Sequence, residues 1–150
     1  MSQIFEAVIN FFKENNWLFF QMEQEPALQM SFQGENGQWM CLVKVREQQE
    51  QLIFYSISPV KAPENKRLVM AEFLSRANFG LSIGNFEIDF ADGQIRYKTS
   101  IAAKGNGVNS VLIGHLIFAN LLTMDEYLPG IMSIIYTELS AVEAIAQIES

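Results

Sequence analysis

The chain has 150 residues, 49% of them hydrophobic and 18% charged, with a formal charge of -7 at pH 7. That length fits one domain over residues 1–150, able to bury roughly 70% of the surface of its unfolded chain, and the apolar content excludes disorder. A single cysteine, Cys41, excludes a disulfide scaffold and points to a reducing, cytoplasmic compartment.

Ser2 is a candidate N-cap for a first helix, in which Ile4, Phe5, Val8, Ile9, Phe11 and Phe12 recur at helical spacing and Asn15-Asn16 marks the end. Residues 17–22 form a short apolar run that reads as a strand or as a lead into a sheet. From Leu28 the period becomes two: Leu28, Met30 and Phe32 alternate with Gln29, Ser31 and Gln33. Asn36-Gly37 then suits a two-residue hairpin turn, which places Phe32 opposite Cys41, Met30 opposite Val43 and Leu28 opposite Val45. A third strand over 52–58 is apolar on both faces and is expected to be covered on both sides. Pro63 fits the first turn of a second helix, whose apolar side comprises Leu68, Val69, Met70, Phe73, Leu74 and Ala77.

Asp92-Gly93 predicts a second two-residue hairpin turn. In that register Phe90 faces Ile95 and Ile88 faces Tyr97, while Asp89 meets Arg96 and Glu87 meets Lys98 on the other face. Gly105-Asn106-Gly107 reads as a loop, and Asn109 or Ser110 as the cap of a helix that is apolar almost all round over 111–122. That run is interrupted by Gly114, His115 and Asn120 and falls short of the ~20 residues of a membrane span, so no membrane insertion is expected. Asp125 is expected to cap a further helical segment starting near Glu126, with Pro129 in or near its first turn.

The order helix, three strands, helix, two strands, helix predicts an α+β fold, with helices packed on an antiparallel sheet. Within it, the run Arg76-Ala77-Asn78-Phe79-Gly80, then Ile83-Gly84-Asn85-Phe86-Glu87-Ile88-Asp89-Phe90, then Asp92-Gly93-Gln94-Ile95-Arg96-Tyr97-Lys98 resembles the central signature of the YbjN-domain family. Ala119-Asn120 and Tyr127-Leu128-Pro129 are also similar to that family. The resemblance implies a fold like that of type III secretion chaperones and a role as a bacterial sensory-transduction regulator; it brings no catalytic residues.

Little chemistry is visible. His115 is the sole histidine and sits in an apolar helix, which reads as a core or interface position. Cys41 reads as a small core residue, and one Cys with one His falls short of a zinc site. Glu87, Asp89 and Asp92 are neutralised by the predicted cross-strand cations rather than gathered for a metal. Neither Gly105-x-Gly107 nor Gly80-x-x-x-Gly84 completes a nucleotide-binding loop. No cofactor and no enzymatic activity are therefore expected. The ten basic residues are scattered, and five acids but no base follow Lys104, which argues against nucleic acid.

What remains is apolar surface in excess of one core. Over 111–122, Leu112, Leu116 and Ala119 fall on one stripe and Val111, Phe118 and Leu122 on another, and one sheet can cover only one of them. The expectation is a homodimeric protein-interaction module, a chaperone-like adaptor or regulator with an unidentified protein partner. Its candidate surface comprises Leu112, Leu116, Phe118, Leu122, Tyr127 and Met132. The alternative is a sensor of a small apolar ligand, held under the final helix in a pocket lined by Phe118, Tyr127 and Met132.

Overall fold

The computed structural model describes residues 3–103 and 109–150; the predicted Ser2 cap and the Gly105-Asn106-Gly107 loop lie outside the described residues. Among the described residues the order is α1 (Gln3–Glu14), β1 (Phe20–Gln21), β2 (Ala27–Gln33), β3 (Gln38–Arg46), β4 (Gln51–Ile57), a 3-10 turn (Glu64–Lys66), α2 (Arg67–Phe79), β5 (Asn85–Ile88), β6 (Ile95–Ala102), α3 (Ser110–Tyr136) and α4 (Ala141–Glu149). The strands make one antiparallel sheet in the order β1-β2-β3-β4-β6-β5. The α+β class follows the predicted order, with a two-residue strand added at the edge.

All four helices lie on one face of this sheet. Leu28, Met30, Cys41, Val43, Leu52, Phe54 and Tyr97 point into that layer and join Val8, Phe12, Phe73, Ile117 and Ala144 in a continuous core. Among the described residues no helix lies on the opposite face, yet Leu52, Ile53, Phe54, Tyr55 and Ser56 are all buried, so β4 is covered on both sides as expected. On that face Ile53 and Tyr55 are shielded instead by neighbouring side chains, including the Arg96 guanidinium 4.2 Å above the Tyr55 ring.

Both hairpins differ from their predicted register by two residues. Phe32 pairs with Trp39 and Met30 with Cys41; in the second hairpin Ile88 pairs with Ile95 and Glu87 with Arg96. The loops therefore span 34–37 and 90–93, with the Asn-Gly and Asp-Gly pairs in their second halves. Side-chain direction has period two, so a shift of two keeps every residue on its face, and patterning alone does not separate the registers. Local chemistry does. Asp89 Oδ1 accepts from the Ala91 N–H, and the Asp89 carbonyl accepts from the N–H of Gly93, which sits in the left-handed region at φ 82°. Asp89 is thus occupied by its own turn, and Glu87 alone takes both cations, at 2.7 Å from Arg96 Nε and 3.0 Å from Lys98 Nζ.

The predicted break near Asp125 is absent, and α3 is one helix of 27 residues with Pro129 inside it. It is long and apolar enough to cross a membrane, longer than the apolar run that sequence reading isolated, yet one side of it packs into the core. Pro129 has no N–H to give the carbonyl of Asp125, four residues earlier. That carbonyl accepts instead from Asn36 Nδ2 at 3.0 Å, while the Asp125 carboxylate accepts from the Glu35 N–H at 3.0 Å and the Asn36 N–H at 2.8 Å. Asp125 is thus a clamp on the β2–β3 turn rather than a helix cap. The chain breaks later, at Thr137, and α4 restarts on a capping box between Ser140 and Glu143. On α2 the predicted apolar side holds for Met70, Phe73, Leu74 and Ala77, whereas Leu68 is 81% exposed.

Candidate protein-interaction site

The rotation of α3 about its axis decides which residues face water, and one buried polar group fixes it. Asn120 is fully buried; its Nδ2 donates to the carbonyls of Phe54 at 2.9 Å and Tyr97 at 3.0 Å, on neighbouring strands β4 and β6. Thr99 Oγ1 adds a bond to the Leu116 carbonyl at 3.0 Å. With Asn120 pinned to the sheet, the opposite side of the helix must point outward. Positions 111, 115, 118 and 122, spaced by four, three and four, occupy that side.

The stripe they form is apolar. Val111 is 63%, Phe118 40% and Leu122 67% exposed, with Leu112 at 41% beside them. His115 is exposed on the same stripe, so it is a surface rather than a core residue. The Phe118 ring packs edge-on against Phe11 of α1 and Trp17, with centroids 6.0 and 5.5 Å away. Trp17 leads directly to Leu18, which is 90% exposed and extends the apolar surface past the end of α1.

The predicted site residues separate into two groups. Leu112, Phe118 and Leu122 are on the surface, and Met132 is half-buried. Leu116 and Tyr127 are 7% and 4% exposed and belong to the core, which removes them from the candidate surface. Tyr127 sits edge-on to Phe73 and Phe86 and donates to Glu149 at 2.8 Å; burial, reinforced by that carboxylate, raises its pKa. The proposed ligand pocket does not form, because Phe118 and Tyr127 lie on opposite sides of α3, ~13 Å apart along its axis. Leu18 was missed by sequence reading. Its only signal was its place in the short apolar run 17–22.

The candidate chemical groups are likewise placed. Cys41 is fully buried, 3.8 Å from Ser56 Oγ, and burial pushes its thiol up to about 12 despite hydrogen bonds with Ser56 and Trp39 that lower it. It stays a protonated thiol at neutral pH, remote in character from the reactive cysteines of electropositive clefts. Partial burial pushes the Glu87 carboxyl up, but Lys98 and Arg96 together outweigh that and hold it below its ordinary value. Asp92 accepts from the Gln94 N–H at 2.9 Å and pairs with Lys61 at 3.1 Å. Among the described residues, no group of three or more His, Cys, Asp or Glu side chains is placed to hold a metal ion.

Comparison with known proteins agrees with this architecture. The chain is similar in fold to the crystal structure of E. coli YbjN, with a TM-score of 0.62, 14% identity and 87% of each chain covered. It is also similar to the HopA1–SchA chaperone–effector complex, with a TM-score of 0.53 and 13% identity over 87% of this chain and 94% of that one. The Yersinia pestis type III secretion chaperone SycH, solved with a stable fragment of YscM2, gives a TM-score of 0.52 and 8% identity over 80% and 94% of the two chains. No curated protein matches the chain by sequence. The profile of the YbjN family, described as "Putative bacterial sensory transduction regulator", matches residues 5–132. The chain therefore belongs to the YbjN family, in a fold shared with type III secretion chaperones.

Proposed function

We propose that this protein is a non-enzymatic, cytoplasmic protein-interaction module, a chaperone-like adaptor or regulator that works as a homodimer through the N-terminal half of α3. The observation that carries the reading is the exposed stripe of Val111, Phe118 and Leu122, held outward by the buried Asn120 on the other side of the helix. Apolar side chains concentrated on one helix face of a small domain mark an interaction surface. A two-fold axis through the stripe covers it with a second copy of itself. A stable interface buries roughly 800 Å² on each partner, more than one stripe supplies. It therefore extends across Trp17 to Leu18.

Support for a polypeptide partner comes from the fold, which is shared with the HopA1–SchA chaperone–effector complex and with SycH solved in complex with a stable fragment of YscM2. The non-enzymatic reading is supported by the separation of Cys41, sealed under the helices, from His115 on the surface, so the two do not form a nucleophile–base pair. α3 is read as a core helix rather than a membrane span because its Asn120 is bonded into the sheet.

Capture from native lysate tests this reading. Tagged wild-type protein is expected to retain a defined partner protein, and Leu122→Glu to lose either that partner or its own second copy while keeping its melting temperature. A wild-type protein that captures nothing contradicts the partner, and one that is monomeric at every concentration contradicts the homodimer.

A further inference from the structure

We propose that the helix-free face of the sheet binds an acidic amphipathic helix of a partner protein, an inference that rests on the protein-binding reading above and assigns it a second surface. The face is not the polar one that an antiparallel sheet normally turns to water. Across its centre, Met40 lies opposite Ile57 and Leu42 opposite Tyr55, with Ile53 one step further along β4. Tyr55 and Ile53 are covered by their neighbours, so the apolar surface open to a partner is the exposed Met40 and the half-buried Leu42 and Ile57. These residues interrupt the polar half of the alternation on the two central strands. At the β1 edge Phe20, paired with Gln29, adds an aromatic ring 74% exposed on the same face.

The charges around this ladder are reversed relative to the chain. The strands' outward positions carry Lys44, Arg46, Arg96 and Lys98 against the single acid Glu87, in a protein with 10 basic and 17 acidic residues and a net charge of -7. Glu87 is shared between Arg96 and Lys98, so one positive charge is left there, and Lys44 and Arg46 add two more at the far end of β3. A cleft of about 320 Å³ lined by Arg46, Ile53, Tyr55, Lys98 and Ser100 connects the two cationic ends. The complement of this surface is an apolar stripe flanked by carboxylates.

Geometry selects a helix as the occupant. An extended segment laid flat on a sheet leaves its peptide groups facing side chains, whereas a helix satisfies its own. Met40 to Arg46 spans six residue steps, or ~20 Å of strand. A helix of about 13 residues covers that length. Its binding would complete the second helical layer that the sheet lacks.

The test titrates the whole chain with two labelled peptides of about 13 residues, followed by fluorescence anisotropy. Both carry leucines at i, i+3, i+4 and i+7; one has Glu at its polar positions and the other Lys. The Glu peptide is expected to bind in the micromolar range, at least tenfold tighter than the Lys peptide, and more weakly as salt is raised. The double variant Lys44→Glu/Arg46→Glu should lose tenfold or more of that affinity with its melting temperature unchanged, and Leu122→Glu should keep it. Equal affinity for the two peptides overturns the proposal, as does an unaffected double variant. A single-stranded oligonucleotide that displaces the peptide, or a double variant that changes the mass of the protein in solution, also overturns it, by assigning the face to nucleic acid or to self-association. If neither peptide binds while wild type still retains a partner that Leu122→Glu loses, this surface alone is wrong; if wild type retains no protein at all, the protein-binding reading fails as well.

Discussion

Replacing Asp125 by alanine isolates the contact between the middle of α3 and the β2–β3 turn. The carboxylate accepts two backbone bonds, from Glu35 at 3.0 Å and Asn36 at 2.8 Å, and among the described residues no other side chain takes those donors. Bonds to a charged acceptor contribute roughly 1.5–3 kcal/mol each when sequestered. Both donors here are on exposed residues, so water takes over part of the role, and a loss of ~1–2 kcal/mol in total is expected. For a domain of this size that lowers the melting temperature by about 2–8 °C. Asp125→Asn keeps one acceptor oxygen and should lose about half as much. Asn36→Ala removes the donor to the carbonyl that Pro129 leaves unpaired and should cost ~0.5–1.5 kcal/mol. Urea unfolding reads all three, with a shifted midpoint at unchanged slope. An Asp125→Ala protein within about 0.3 kcal/mol of wild type would refute the clamp.

The hairpin register has its own test: a double-mutant cycle on Glu87 and Arg96 should return ~0.2–1 kcal/mol of coupling, and one on Asp89 and Arg96 close to zero. The reverse result would restore the two-residue turn. Glu87 is held below its ordinary value of 4.5, so its stabilisation is present above that pH and is lost as pH falls through the lowered value. Glu87→Gln should therefore flatten the acid limb of the stability profile; an unchanged limb contradicts the pairing. Gly130→Ala should destabilise by ~1–3 kcal/mol, since its Cβ would sit 2.4 Å from the buried Phe73 ring and overpacking outweighs the better helix propensity of alanine. A stabilised variant would show that α3 has room to move away from α2.

Periodicity in the sequence was enough to assign nearly every strand and helix to its face, because burial on one side of a sheet or helix repeats in the chain. What it left open were contacts with no local trace. The two hairpin registers share one face pattern, and the choice between them depends on Asp89 bonding within its own turn and on Asp125, 89 residues from Asn36. Pro129 suggested a helix start, and the donor that makes it tolerable inside α3 comes from the distant β2–β3 turn. The break at Thr137 and the capping box of Ser140 and Glu143 that restarts the chain went unread, because the apolar pattern from Ile131 to Ile148 runs across both. The candidate surface was read from two stripes of one helix without knowing its rotation. Asn120 supplies that rotation through bonds to Phe54 and Tyr97, and it turned Leu116 inward while leaving Val111, Phe118 and Leu122 in water.

The exposed stripe of α3 is most directly tested by light scattering after size exclusion, on wild type and on Leu122→Glu, at micromolar concentration. Leu122 is 67% exposed, so the substitution leaves the core intact, unlike a change at the buried Leu116. Wild type is predicted at twice the 17.0 kDa chain mass and Leu122→Glu at the single chain mass, with the same unfolding midpoint. Wild type at 17.0 kDa at every concentration, or a Leu122→Glu protein that remains a dimer, would contradict the assignment of this surface.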